Sequence, residues 1–280
     1  MRTIDKLPLG DLIDSGVDKF LAVAGDTLDA FSDKFDILVE GLYSGLEFLP
    51  WWLLILFVAI LSWKVSSWKL AIGSAIGLGL IYNLGLWPEL LNTITLVIFA
   101  ALLSILIGVP LGIIAGRNNV FHRVITPILD FMQTMPSFVY LIPALMFFGL
   151  GKFAAIFATV IFAMPPVIRL TDLGIRQVPE DLVEVGEAFG SNPWKLLVKI
   201  QIPVAMPTIL AGLNQTMMLS LSMVVITAMI GAGGLGAGVL YAIGQMKIGM
   251  GFENGVAVVI LAIILDRLTQ AIGRSKRTVR

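Results

Sequence analysis

From residue 49 onward the chain alternates long apolar runs with short polar breaks. A helix crossing a bilayer core of roughly 30 Å needs about 20 apolar residues. Seven stretches approach or reach that length: 49–63, 68–86, 90–116, 124–150, 153–170, 203–230 and 254–272. The first is short, and its upper end is expected to begin in the preceding helix. The pattern predicts an all-α integral membrane protein with about seven transmembrane helices.

Residues 1–48 follow another pattern. Leu9, Leu12, Ile13, Val17, Phe20 and Leu21 recur at helical spacing, as do Leu28, Phe31, Phe35, Leu38, Leu42 and Leu46 after a break at Gly25. This predicts two amphipathic helices resting on the membrane surface or on the bundle, or docking a partner. The segment holds ten acidic and four basic residues, which would not favour anionic lipid. Residues 1–20 also lack the apolar core of a signal peptide, so none is expected. The expected organisation is 1–48 amphipathic, 49–87 two accessory transmembrane helices, 88–273 the main transmembrane domain, and 274–280 a basic tail.

Within the main domain the long hydrophilic stretch is 171–202. Pro179 suits a helix start, where its missing N–H costs nothing. Glu180 and Asp181 then sit where the helix dipole favours anions. Leu182, Val185 and Phe189 share one face, and Gly190 suits the left-handed position after a helix end. Ser191 or Asn192 can cap a second helix opening at Pro193, with Trp194, Leu197 and Ile200 as its apolar side and Pro203 as its end. Two short helices joined by a glycine turn are therefore predicted. Patterning alone leaves two roles open, a cover for the bundle ends or a grip for a groove on another protein.

Charge gives the pair a side. Basic residues accumulate in cytoplasmic loops. Lys64, Lys69, Arg117, Arg123, Arg176, Lys195, Lys199 and the tail residues Arg274, Lys276, Arg277 and Arg280 fall on one side, against Lys152 and Lys247 on the other. That bias puts the C-terminus inside and, with seven passes, the N-terminus outside. Trp51, Trp52, Trp63, Trp68 and Trp87 fall at predicted span ends, the headgroup level that indole prefers.

Composition narrows the chemistry. Apolar residues make up 58% and charged residues 14%, against roughly 45–50% and 25% in soluble domains. With no cysteine there is no thiol nucleophile or thiolate metal site, and His122 is the sole histidine. Nineteen basic and nineteen acidic residues give no basic excess, which argues against nucleic acid.

The loop resembles a known signature. Permeases of ATP-binding-cassette importers carry E-A-A-x3-G-x9-I-x-L-P in a cytoplasmic loop. Here Glu184 is followed by Val185 and Gly186 in place of the alanines, then Glu187, Ala188, Phe189 and Gly190. After nine intervening residues come Ile200, Gln201, Ile202 in place of leucine, and Pro203. The segments 127–151, 162–184, 219–236 and 262–273 resemble the glycine betaine/proline-type osmoprotectant permeases, over roughly residues 50–273.

That resemblance implies a five-helix importer-permease core in the bacterial cytoplasmic membrane. It implies a second copy of the chain, two ATP-binding-cassette ATPase subunits docked on Glu184–Gly190 and Ile200–Pro203, and an extracytoplasmic substrate-binding protein. ATP and Mg2+ would belong to the ATPase. No G-x-x-x-x-G-K-[ST] sequence occurs, and residues 149–153 lack its first glycine and its Ser/Thr. The implied substrate is glycine betaine or a related compatible solute, caged by aromatic rings in the binding protein rather than here.

Other residues invite chemistry. Gly231, Gly233, Gly234 and Gly236 match G-x-G-x-x-G, but a long apolar run precedes them where a nucleotide fold needs a strand. They are expected to form a tight turn or gate at the outer mouth. Asp130 is expected in an ion pair near the inner interface. Gln133, Asn214 and Gln215 either bond between helices or line the path. Asp266 and Arg267 are expected to pair. The alternatives are an ion-coupled carrier, for which Asp130 is a weak relay and no inverted repeat is evident, and a permease for methionine or another small solute.

Overall fold

The computed structural model describes residues 9–275, so residues 1–8 and the tail from Lys276 onward lie outside the described residues, as do the side chains of Leu9, Leu12 and Ile13. Every regular element described is helical: α1 (Leu9–Phe48), α2 (Trp51–Val65), α3 (Trp68–Asn83), α4 (Trp87–Arg117), α5 (Asn119–Thr134), α6 (Leu141–Phe148), α7 (Lys152–Arg176), α8 (Glu180–Ala188), α9 (Pro193–Leu196), α10 (Ile202–Ile226), α11 (Gly234–Gly244) and α12 (Ile248–Ser275). Four spans among them are long and apolar enough to cross a membrane, or up to six if each of two bent pairs counts as one.

Two expectations from the pattern need correction. The N-terminal segment is one helix, not two. Val17, Leu21, Leu28, Phe35, Val39, Leu42 and Leu46 form an unbroken half-buried to buried row. That row keeps its register across Gly25, and one glycine inside a helix costs only about 1 kcal/mol. The run 124–150 is not a straight span either. It breaks between α5 and the short 3-10 turn before α6, with 110° between the two halves. Pro136 lacks an N–H and keeps Met135 extended, at φ −70° and ψ 135°. α2 and α3 have 15 and 16 residues, about 22–24 Å at 1.5 Å per residue. They pack on one another as a hairpin. Pro50 turns the chain by 98° between α1 and α2.

α4, α7 and α10 form the centre. Gly108, Gly112 and Gly116 line one face of α4 and let α7 approach at Val167, Thr171 and Ile175. Gly174 on α7 meets Ala205 and Thr208 of α10, and Gly212 on α10 meets Val167 and Leu170 of α7. Small residues at helix contacts admit close backbone approach, which drives packing where lipid removes the hydrophobic gain. α12 packs on α10 and α11 and reaches α3, where Gly77 faces Ile260.

α1 rests on this bundle. Its Phe35 ring lies 5.1 Å from Phe153 and 5.5 Å from Phe99. Glu40 pairs with Lys152 at 2.5 Å, and the same ammonium stands over the Tyr43 ring. The bundle thus has two ends. One carries residues 177–201, and the other carries the starts of α4 and α7 with the turn 231–234. Tryptophan marks the second end, where Trp51 stacks on Tyr82, itself edge-on to Trp87.

Candidate functional site

The predicted helix pair is present at the first end. α7 runs six residues beyond the expected limit, so 171–176 belongs to the helix and the loop proper starts at Gln177. Pro179 precedes α8 as its N-cap, with Glu180 and Asp181 in the first turn. α8 stops in a tight reversal. The Gly190 N–H bonds to the Glu187 carbonyl and the Ser191 N–H to the Gly186 carbonyl, at 2.8 and 3.1 Å. Gly190 takes φ +72°, a left-handed conformation that favours glycine. Asn192 then caps α9 by accepting from the Lys195 N–H at 2.8 Å, with Pro193 first in the helix.

One expectation fails here. Pro203 does not end the second helix. Residues Leu197–Gln201 make a π-helical stretch and the chain continues into α10, where Pro203 sits in the first turn and disturbs nothing.

Gly186 explains one departure from the family signature. A Cβ there would fall 2.6 Å from Ile200 Cδ1 and 2.7 Å from Leu196 Cδ1. The helix pair closes on the bare backbone. Leu196 and Leu197 are buried with it, and Leu197 joins Ile175, Ala205 and Ile209 in an apolar cluster under the loop. The outer face is a different surface. Leu182, Val185, Phe189 and Trp194 are exposed, Phe189 to 87% and Trp194 to 70%. Glu184 and Glu187 stand beside them, also exposed. Four large apolar side chains thus stand exposed together on a braced helix pair.

A polar network that sequence reasoning missed anchors this end. Asp172, 8% exposed, accepts from His122 Nδ1 at 2.7 Å and Arg176 Nε at 2.8 Å. Arg176 also donates to Asn119 Oδ1 and the Ala115 carbonyl, both at 2.6 Å. Five groups from α4, α5 and α7 meet there. The spacing of Asp172 and Arg176, one helical turn apart, was the available signal. His122 lies in the first turn of α5 rather than in a loop.

The remaining candidates separate. Asp130 pairs with Arg169 Nη2 of α7, as an ion pair was expected to form. Gln133 is exposed one turn along α5, and Gln215 is exposed on α10. Asn214 bonds between helices, donating to Asp266 Oδ1 at 3.4 Å and accepting from the Thr269 hydroxyl. Asp266 is engaged by Asn214 and Gln270 rather than by Arg267.

At the opposite end Gly231, Gly233 and Gly234 take φ +83°, +76° and +73°. Asn92 donates to the Ala232 carbonyl at 2.8 Å and Thr93 accepts from the Leu235 N–H at 2.9 Å. The Gly151 N–H reaches the Ile230 carbonyl at 3.2 Å. A Cβ on Gly236 would fall 2.5 Å from the Val225 carbonyl oxygen. The glycines knit the starts of α4, α7 and α11 together, and helix rather than strand precedes them.

Comparison with known proteins extends this picture. A family model described as "Binding-protein-dependent transport system inner membrane component" matches residues 108–278. The chain is 48% identical over 278 residues to the glycine betaine transport system permease protein OpuAB of Bacillus subtilis (strain 168), covering 99% of each. It is 44% identical over 272 residues to the glycine betaine/proline betaine transport system permease protein ProW of Escherichia coli (strain K12), covering 97% of this chain and 77% of that one. Among solved structures, an inward-facing form of the MetNI methionine ABC transporter superposes with a TM-score of 0.63 at 21% identity, over 68% of this chain and 95% of that chain. That last likeness is one of fold.

Proposed function

The chain belongs to the inner-membrane components of binding-protein-dependent transport systems, and from that premise we propose that it is the permease subunit of an ATP-driven importer for glycine betaine or a related compatible solute. The observation that carries the assignment is the braced helix pair with an exposed apolar face, at the spacing of the importer signature. Relatives named for glycine betaine cover almost the whole chain, whereas the methionine transporter shares only the fold. An ion-coupled carrier would leave that helix pair without a role.

In this reading two ATPase subunits dock on two copies of the chain. Phe189, Val185, Leu182 and Trp194 fill the groove on each ATPase, with Glu184 and Glu187 at its rim. Gly186, Gly190, Ile200, Ile202 and Pro203 set the shape of the pair. ATP and Mg2+ stay on the ATPase. The loop end is cytoplasmic, in keeping with Arg117, Arg123, Arg176, Lys195 and Lys199 gathered there. The end holding Gly231, Gly233, Gly234 and Gly236 then faces outward, as does the α1 segment around Glu40. A loaded binding protein would meet the backbone of that turn. ATP and loaded binding protein drive access only by binding one state of the assembly better than the other.

The test is purification of the tagged chain from its native host in mild detergent, with and without Glu184→Lys. A stoichiometric ATPase that is lost in the variant is the expected result. A chain that purifies alone in both preparations refutes the assignment.

A further inference from the structure

Asp130 and Arg169 sit at membrane depth yet are built unlike a structural pair. Arg169 lies seven residues, two helical turns, inward from Arg176 at the end of α7. One bond joins Arg169 Nη2 to Asp130 Oδ1, while the Arg169 Nε is buried without a partner. A guanidinium offers five donors and a carboxylate about four acceptor sites, so most of the capacity of the pair is unused. Its side chains are 36% and 59% exposed. The Asp172–Arg176 pair, one turn and a half further along α7, shows the contrast. There the carboxylate side chain is 11% exposed and both of its oxygens are occupied.

The surroundings are polar and irregular. Gln133 and Thr134 are exposed on α5 beside Asp130, and the helix breaks just beyond at Met135 and Pro136. Interrupted backbone at membrane depth is tolerated where it is buried in protein or lines a water-filled cavity. Ionisable side chains there face a cavity or a partner for the same reason. Pro136 is exposed, so the chain's own core does not cover this face.

We propose that Asp130 and Arg169 form a transient subsite on the translocation path that takes both charges of a zwitterionic solute, its carboxylate on Arg169 and its quaternary ammonium against Asp130. The inference rests on the importer reading above. A quaternary ammonium has no N–H, so it can be held only by charge or by an aromatic face, and among the described residues the cation–ring contacts involve Lys152 and Lys247, not this pair. A carboxylate suits the planar guanidinium. In the empty path the two side chains satisfy one another. An arriving zwitterion exchanges one ion pair for two weaker contacts of the same kind, so the site neither traps its cargo nor offers a net charge to inorganic ions. Selection stays with the binding protein, while the path supplies charge matching during passage.

The experiment uses the assembled complex in proteoliposomes with the loaded binding protein and radiolabelled glycine betaine. The neutral pair D130N/R169Q keeps a hydrogen bond between α5 and α7 but removes both charges. It is expected to assemble and to keep ATP hydrolysis stimulated by the loaded binding protein, while uptake falls at least tenfold. The sequence holds no cysteine, so Gln133→Cys introduces a unique thiol. A charged, membrane-impermeant thiol reagent is expected to modify it in the complex. Uptake by D130N/R169Q at the wild-type rate overturns the proposal, as does a thiol that stays unmodified, which would place the face against lipid or protein. Loss of assembly or of stimulated ATP hydrolysis in D130N/R169Q also overturns it, because the pair is then structural. Absence of uptake by the wild-type complex refutes the importer reading itself.

Discussion

Adding one methyl group at Gly112 should loosen the centre of the protein. A Cβ at this position would stand 2.5 Å from Thr171 Cβ, 2.7 Å from the Ile168 carbonyl oxygen and 2.9 Å from Thr171 Cγ2. Ordinary carbon contacts lie near 3.5–4.0 Å. The obstructing atoms are a Cβ and a backbone oxygen, neither of which can rotate away, so α4 and α7 must separate by about 1 Å. Overpacking of this kind costs about 1–3 kcal/mol, and better helix propensity returns up to about 1 kcal/mol. The net expectation for Gly112→Ala is a loss of about 1 kcal/mol. At about 2–4 °C per kcal/mol for chains of comparable size, the melting midpoint in detergent should fall by about 2–4 °C. Gly73→Ala is the control, since nothing lies within 4 Å of a Cβ there. Its midpoint should hold or rise. Equal midpoints for the two variants would refute the close approach of α4 to α7.

Gly190→Val forces a β-branched residue to φ +72°, at about 1–3 kcal/mol; ATPase binding should weaken about tenfold, with Gly190→Asn milder, and wild-type affinity for the valine variant would count against the turn. Phe189→Ala combined with Trp194→Ala removes exposed side chains only. The melting midpoint should move by no more than the equivalent of about 0.5 kcal/mol, while ATPase affinity in a binding isotherm falls by about 2 kcal/mol or more, roughly 30-fold. Asp172→Ala strands both His122 and Arg176 and should cost about 3–5 kcal/mol. Asp130→Ala breaks an exposed pair worth about 0–1 kcal/mol. Equal destabilisation of these two variants would contradict the difference in their burial.

The coupling loop was legible in the sequence because each of its features is local. A proline before the helix, two acids in its first turn, a glycine at its end and an asparagine cap are decided within a few residues, and all are found where the spacing put them. Hydropathy likewise located α4, α7, α10 and α12, with each end within six residues. Features that depend on what a residue packs against were not legible. Gly25 looked like a break in isolation, but the apolar row of α1 continues across it onto α4, α6 and α7. Pro203 looked like a stop, yet the first turn of α10 tolerates it. The stripe of Gly108, Gly112 and Gly116 carried a small-residue signal at every fourth position, but its partner face on α7 appears only in three dimensions. Asp172 belongs to the hydrophilic stretch by composition, and only the extension of α7 to Arg176 places it one turn before its partner.

The packing also constrains how the proposed transport cycle can work. α7 and α10 approach closely at Gly174 and Gly212, against Cβ and backbone atoms, and α4 approaches α7 at Gly108, Gly112 and Gly116. Contacts this close leave little room for sliding, which favours movement of the three helices as one body. The loop is fastened to that body on both sides, by the Arg176 network at one end and by the continuous helix into α10 at the other. A displacement of α8 by an ATPase would therefore be carried into the bundle rather than absorbed in the loop. The α5–α6 arm is attached differently. It meets α7 through side chains: the Asp130–Arg169 pair, His122 and Asn119 bonded to Asp172 and Arg176, and the rings of Tyr140 on Phe162 at 5.7 Å and Phe148 on Phe153 at 4.6 Å. It also contains the break at Pro136. In the proposed cycle the change of access must then fall between the rigid three-helix body and this arm, together with the facing surface of the second copy, and not within the body.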